Sequence, residues 1–363
     1  MKIAFYAPLK SPDHPVPSGD RLMARQLVEC LRRAGHAVTL ASELRAFLRD
    51  GEDAAGHTAL MAATAAEVDR LSARWRAEGA PDLWFCYHPY YKAPDLIGPS
   101  LSNAFGLAYV TAEASYSQRR NIGLWAETQA HVLAAVRGAA VNIGLTARDR
   151  AGLHEAAPKA VIAPLAPFID DAPFAAAPAA EPGHLVTVAM MRAGDKMESF
   201  RALAEGLRRV DRPWRLSVAG DGPLRADVQA LFSGFAEGRV TWLGEQQRDA
   251  VARLLAQGAL YVWPGCGEAY GLAYLEAQAA GLPVVAWETA GVPEVVAHGE
   301  TGLLTRPGDH AAYAAAITGI LDDEARRRRL AENARARVRA VHSLPVATAA
   351  LDAILRRHVG EGK

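Results

Sequence analysis

Short apolar runs alternate with longer stretches of 3.6-residue periodicity along the whole chain, and few folds accept that rhythm. Runs too short for helices, bounded by Gly and Pro, read as parallel strands buried on both faces. The periodic stretches between them read as crossover helices, which makes the chain α/β. In the first half the expected strands are 3–7, 37–41, 83–87, 107–111 and 139–145. Between the first two, 22–33 places Leu22, Leu27, Cys30 and Leu31 on one side of a helix that Gly35 ends. A second series, 185–189, 216–219, 240–243, 260–263 and 284–286, follows a Pro- and Ala-rich stretch, DAPFAAAPAAEPG, that lacks periodicity. The last part, 324–357, is helical with a break near Ser343 to Pro345.

A chain of 363 residues exceeds what one core usually serves. The expected organisation is a first domain over 1–171, a linker over 172–183, a second domain over 184–342, and a C-terminal helix over 343–363 that returns to the first domain. Two doubly wound domains facing across a cleft would bind ligands at the carboxyl ends of their strands. Lys plus Arg and Asp plus Glu stand at 40 each, and the pI is about 7.2, so no basic field is available for a nucleic acid. Three scattered cysteines, Cys30, Cys86 and Cys266, form neither a disulfide framework nor a zinc cluster, which fits a reducing cytoplasm. The N-terminus, MKIAFYAPLK, reads as a first strand rather than a signal peptide. No run approaches the ~20 apolar residues that span a bilayer, so membrane contact would be peripheral, at the inner face.

The chemistry concentrates after the 260–263 strand, where the chain reads GCGEAYGLAYLEAQAAGLPVVAWETAGVPEVV. A strand, a glycine-bearing loop and a helix aim free backbone N–H groups at an anion. Gly271 and Leu272 stand at the expected helix start, where small residues let a diphosphate approach and the helix dipole favours its charge. Glu268 falls in the loop and Glu276 in the helix. A carboxylate there suits ribose hydroxyls or a transferred sugar. Spacing alone fits a helix-capping charge and a solvated face equally well.

The run EAYGLAYLEAQAAGLPVVA resembles the E-x7-E donor signature of family-four retaining glycosyltransferases of the GT-B fold. Flanking segments resemble the same family in order: Gly220-Asp221-Gly222-Pro223, then VTWLG ending at Gly244, then Gly291-Val292-Pro293-Glu294, Thr301-Gly302-Leu303-Leu304 and Pro307-Gly308-Asp309. The resemblance covers roughly the second half. It implies two Rossmann-like domains and metal-independent sugar transfer, with retention, from a nucleoside diphosphate sugar as co-substrate and without a cofactor. UDP is the commonest donor nucleotide among such relatives. By matching positions, Arg192 and Lys196 would neutralise the diphosphate, Gly271, Leu272 and Gly244 would border the donor, Glu276 would hold the ribose, and Glu268 would contact the transferred sugar or phosphate.

The first half resembles the family less closely. Pro17-Ser18-Gly19-Asp20 lies where relatives carry a glycine-rich loop, and Gly19 could admit the donor's sugar or phosphate or simply make a turn. Many relatives have a His after the fourth strand, whereas this chain reads Ala112-Glu113-Ala114. Glu113 becomes the candidate that meets an acceptor hydroxyl, with a helix-terminal charge as the plain alternative. His88 is a second candidate, though a lone His at a strand end is more often structural. Tyr87, Tyr90, Tyr91, Tyr116, Arg119, Arg120 and Trp125 could stack on a sugar or hold an anionic acceptor, a glycan, lipid or small molecule, or they could simply pack.

Asp170-Asp171 and Asp322-Asp323 open a linker and a helix, so no metal site is expected. G-x-S-x-G and the P-loop are missing, and Gly220-Asp221-Gly222 continues unlike a dinucleotide fingerprint. Two other readings remain at this point. One is a catalytically silent nucleotide-sugar-binding subunit, which gains weight from the missing His. The other is a nucleotide-sugar epimerase, which would need no acceptor.

Overall fold

The structure is a computed structural model describing residues 1–16 and 18–360, so Pro17 and the last three residues of the expected C-terminal helix lie outside the described residues. It divides into two compact units, Met1–Ala166 with Ala347–Lys363, and Pro167–Val346.

The first unit is built on strands β1 (Lys2–Tyr6), β2 (Ala37–Ser42), β3 (Leu83–Tyr87), β4 (Ala108–Ala112), β5 (Val141–Gly144) and β6 (Ile162–Pro164). They form one parallel sheet in the order β2-β1-β3-β4-β5-β6. The helices are α1 (Gly19–Arg33), α2 (Ala54–Glu78), α3 (Gly98–Phe105), α4 (Leu124–Gly138) and α5 (Ala147–Ala156). The central strand LWFCY is buried at every position, as a strand covered on both faces must be. Ser18 begins α1 by accepting from Arg21 N at 3.2 Å, three residues ahead of the helix expected from periodicity. Asp95 organises the core beneath β3 and β4. Its Oδ2 accepts from Trp84 Nε1 at 2.7 Å and Tyr109 Oη at 3.0 Å, and its Oδ1 accepts from the amides of Ile97 and Gly98 at the start of α3.

The second unit repeats the plan with β7 (His184–Val188), β8 (Arg215–Ala219), β9 (Val240–Gly244), β10 (Leu260–Val262), β11 (Val284–Trp287) and β12 (Gly302–Thr305), all parallel in the order β12-β11-β10-β7-β8-β9. Its helices are α6 (Asp195–Leu207), α7 (Arg225–Leu231), α8 (Arg248–Gln257), α9 (Leu272–Ala279), α10 (Val292–Val295), α11 (His310–Leu321) and α12 (Glu324–Arg337). The edge strand β9 alternates exposed and half-buried residues, whereas β10 is wholly buried. A π-helical turn over Val338–His342 follows α12, and α13 (Leu344–Val359) closes the chain. From Ala347 onward α13 belongs to the first unit, where Asp352 Oδ1 lies 3.2 Å from His36 Nε2.

Two strands, β6 and β12, were not expected, and the 172–183 stretch is more ordered than an irregular linker. Ala172–Phe174 is a 3-10 turn with Phe174 buried. Ala179 N and Glu181 N donate to Ala256 O and Gln257 O, which fastens this stretch along α8 of the second unit. The acidic pairs have structural partners: Asp170 with Arg248, Asp322 with Arg212, and Asp323 as the cap of α12.

Candidate functional site

In the second unit three loops meet at the carboxyl end of the sheet. Glycine is obligatory where they touch. A Cβ on Gly220 would fall on Ala189 O, and one on Gly222 would fall on Met191 O. This close approach lets Met191 N donate to Asp221 O at 2.9 Å and Leu224 N donate to Met191 O at 3.1 Å. Gly220 N also donates to Gly244 O at 2.7 Å, so the turn over 219–224 braces both the loop after β7 and the end of β9.

The loop after β7 carries Arg192 and leads into α6, which starts behind Gly194 in the left-handed region. Arg192 is exposed and makes no ion pair among the described residues. Lys196, in the first turn of α6, donates to Glu268 Oε1, and the same oxygen accepts from Trp263 Nε1 at 3.1 Å. Both partners are largely buried, at 19% and 16% side-chain exposure. Lys196 also lies 5.6 Å from the Trp263 ring, which packs edge-on against Phe200 of α6. The two residues matched by resemblance to an anion clamp and a sugar contact are therefore paired with each other.

Gly265, Gly267 and Gly271 all have positive φ. At Gly265 and Gly271 a side chain would strike Tyr274, whose hydroxyl donates to Trp263 O at 3.0 Å. These turns bring the chain sharply from β10 into α9, and no side chain caps the N-terminus of that helix behind Gly271. Leu272 is buried there. One turn on, burial pushes the Glu276 carboxyl up to about 7, with the Arg248 charge pulling it back. The buried Tyr261 hydroxyl is raised by burial first and then by the charges of Glu268 and Glu276. Cys266, between two of the glycines, donates its amide to Ser199 Oγ at 2.9 Å, and burial raises its thiol.

The first unit has its own polar cluster at the carboxyl ends of its strands. His88 follows β3 and Glu113 follows β4, and the residues before them, Tyr87 and Ala112, are partners in the ladder. Both residues are left-handed, with φ of 59° and 55°, a conformation that costs ~1 kcal/mol or more for a non-glycine residue. His88 N donates to Ala112 O at 2.7 Å, and its Nδ1 lies 3.3 Å from Asp20 Oδ1 in the first turn of α1. The His88 ring stacks on Tyr90 at 5.1 Å. Burial works to lower the His88 pKa, but the Asp20 carboxylate beside Nδ1 and the charges of Glu113 and Asp149 raise it overall. The Glu113 carboxyl is raised by burial, against the opposing influence of His88 and a hydrogen bond from Tyr87. Gly19, expected in an open loop, is instead the exposed first residue of α1, beside Asp20.

Tyr91, Lys92, Trp125 and Arg120 form a further layer: Tyr91 packs edge-on against Trp125 at 5.1 Å, Lys92 lies 4.8 Å from the Trp125 ring, and Arg120 covers Tyr91 at 5.4 Å. Sequence reasoning named most of these residues but not Asp20 as the partner of His88. Nor did it give Trp263 or Tyr274 a place in the loop. Among the described residues no cluster of His, Cys, Asp or Glu is arranged to hold a metal ion, and no helix is long and apolar enough to cross a membrane.

Comparison with known proteins bears on both units. Residues 182–323 match the family model described as Glycosyl transferases group 1. Over 136 residues the chain is 38% identical to the N-acetyl-alpha-D-glucosaminyl L-malate synthase of Bacillus anthracis, covering 37% of this chain and 35% of that protein. It is 32% identical over 161 residues to the alpha-D-kanosaminyltransferase of Streptomyces kanamyceticus, covering 44% and 42%. These matches span less than half the length of either relative. Solved structures match across both units. Sucrose-phosphate synthase from Thermosynechococcus elongatus superposes with a TM-score of 0.76 at 21% identity, covering 98% of this chain and 99% of that one. Anabaena HepE in complex with UDP gives 0.75 at 17% identity, covering 98% and 100%.

Proposed function

From the membership of residues 182–323 in the glycosyl transferases group 1, and of the whole chain in the GT-B fold, we propose that this protein is a retaining glycosyltransferase. It moves a sugar from a nucleoside diphosphate donor to an acceptor hydroxyl. UDP leads as the nucleotide because HepE, a structure of like fold, holds UDP or UDP-glucose.

The observation that carries this reading is the convergence of Lys196, Glu268 and the uncapped start of α9 at one end of the second sheet. In this reading the free amides behind Gly271 and Leu272 receive the diphosphate, and Lys196 and Arg192 offset the charge that grows on it as the sugar departs. Released from Lys196, Glu268 turns to the transferred sugar. Glu276 accepts from the ribose hydroxyls, and Gly244 borders the nucleotide. In the first unit Gly19 allows close approach of the donor, and Glu113 meets the acceptor hydroxyl. The reaction takes neither a metal nor a cofactor, and the protein acts in the cytoplasm with at most peripheral membrane contact.

Titration calorimetry with UDP, paired with UDP release from UDP-glucose, tests the assignment. Lys196→Ala and Glu276→Ala each weaken UDP binding at least tenfold. Wild-type UDP affinity in both variants would overturn it.

A further inference from the structure

The first unit carries two cations that neither its fold nor the reading above uses. We propose that Lys92 and Arg120, held over the rings of Tyr91 and Trp125, bind a phosphate monoester group, borne by a soluble molecule or by a lipid. The site lies within the first unit. Only the role of its ligand, as the bearer of the hydroxyl that receives the sugar, rests on the glycosyltransferase reading.

Both cations meet the same ring. Arg120 lies 5.4 Å and Lys92 5.8 Å from the centre of the Tyr91 ring, and Lys92 is 4.8 Å from the Trp125 ring that Tyr91 meets edge-on. The chain has as many acidic as basic residues, yet neither cation makes an ion pair among the described residues. Glu127, the acidic residue in the first turn of α4, lies 3.9 Å from His57 instead. The backbone that presents each cation is pinned. Gln129 of α4, which is buried, clamps the 3-10 turn Gln118–Arg120: its Nε2 donates to Ser117 O and to Asn121 Oδ1, both at 2.6 Å, and its Oε1 accepts from Ser117 N at 3.1 Å. Lys92 is fixed by the loop after β2, where Leu48 N donates to Lys92 O at 2.8 Å and Leu48 O accepts from Trp125 Nε1 at 3.2 Å.

Packing accounts for the rings, but it does not require two unpaired cations to be held over them. A site ordered before its ligand arrives gives up less entropy on binding. Arg120 supplies a planar fork and Lys92 a point charge, and both side chains are long enough to close on one phosphate. Together they carry a charge of about +2, which matches the roughly −1.5 to −2 of a phosphate monoester at neutral pH and exceeds the single charge of a carboxylate.

The test uses the full chain and follows glucose 6-phosphate by phosphorus NMR and calorimetry. The ester binds about tenfold more tightly than glucuronate, whose one charge leaves a cation unmatched. Lys92→Ala and Arg120→Ala each weaken it about tenfold, and Arg120→Lys, which keeps the charge without the fork, recovers part of the loss. Saturating UDP leaves the ester's affinity unchanged. Phosphatidylcholine vesicles containing phosphatidic acid separate the two sources of the group: capture that Arg120→Ala abolishes, without a response to glucose 6-phosphate, assigns the phosphate to a lipid headgroup. Displacement of the ester by UDP, equal binding of glucuronate, wild-type binding by both alanine variants, or no binding to either probe overturns the proposal. Failure of the wild type to bind UDP would instead count against the donor assignment, and the alanine variants would still judge this site.

Discussion

Lys196 and Glu268 stand 72 residues apart in sequence and close an ion pair at the mouth of α9, with Trp263 Nε1 held to the same carboxylate oxygen at 3.1 Å. An anion entering that site competes with Glu268 for the ammonium. Glu268→Gln therefore binds UDP several-fold more tightly than wild type while turnover of UDP-glucose falls, because the competing charge and the sugar contact are lost together. Lys196→Ala has the opposite signature: UDP binds at least tenfold more weakly, and leaving a largely buried carboxylate unpaired lowers stability by ~1–3 kcal/mol. Calorimetry and thermal melts on the two variants separate these effects. Equal weakening of UDP binding by both would mean that the pair acts as one structural unit.

The sharp entry into α9 depends on Gly271, at φ 79°, where an added Cβ would lie 2.6 Å from the Tyr274 ring. Gly271→Ala forces strain and displaces the tyrosine whose hydroxyl holds Trp263 O. The expected result is a loss of ~1–3 kcal/mol in stability and a UDP affinity down at least tenfold, with far-UV circular dichroism unchanged. A fully retained affinity would show that the start of α9 is not where the anion binds.

Much of this architecture was legible from apolar patterning, because strands buried on both faces read as uninterrupted apolar runs, as at LWFCY. β6 escaped notice because three residues ending in Pro164 carry almost no pattern, and β12 because GLLT looks like the loop that precedes it. The site was legible in a different way. Glu268, Glu276 and Lys196 stood out as candidates through their match, in order, to the motifs of the family that the second half resembles, since their spacing alone fitted a capping charge and a solvated face equally well. What those residues touch was not legible. The Lys196–Glu268 pair and the Asp20–His88 pair join distant segments, and nothing local in either sequence requires them. The left-handed turn at Glu113 is equally silent, since a bulky residue there contradicts local preference.

Asp95 allows the two units to be tested apart. Its two oxygens accept from Trp84, Tyr109 and two amides at the start of α3, all inside the first unit, at 2% exposure. Asp95→Ala strands those buried donors, each worth ~1–3 kcal/mol before relaxation, and the melting temperature falls sharply. UDP affinity measured well below the transition stays at the wild-type value, because the residues assigned to the diphosphate and the ribose, from Arg192 to Glu276, belong to the second unit, and Gly19 alone is assigned to the donor from the first. A matching loss of UDP binding would place part of the nucleotide site on the first unit.

Glu276 links function to stability through pH. Its carboxyl, ordinarily near 4.5, is pushed up to about 7 by burial. Between those values the folded chain holds a proton that the unfolded chain has released, so stability falls as pH rises through that window and levels off above it. The full shift corresponds to ~3 kcal/mol, an upper bound for a half-buried group. Glu276→Gln removes the charge that folding disfavours. Its stability relative to wild type should therefore be greater at pH 8 than at pH 5, as chemical denaturation at the two pH values would record. Ribose hydroxyls, however, donate best to the ionised carboxylate, so wild-type UDP affinity rises as pH climbs through about 7, and the variant shows a flat, weaker profile. Greater stability with weaker binding is what a carboxylate kept for a ligand rather than for the fold requires. If Glu276→Gln is no more stable at pH 8 than at pH 5 relative to wild type, and keeps the pH dependence of UDP binding, the residue is not the ribose contact.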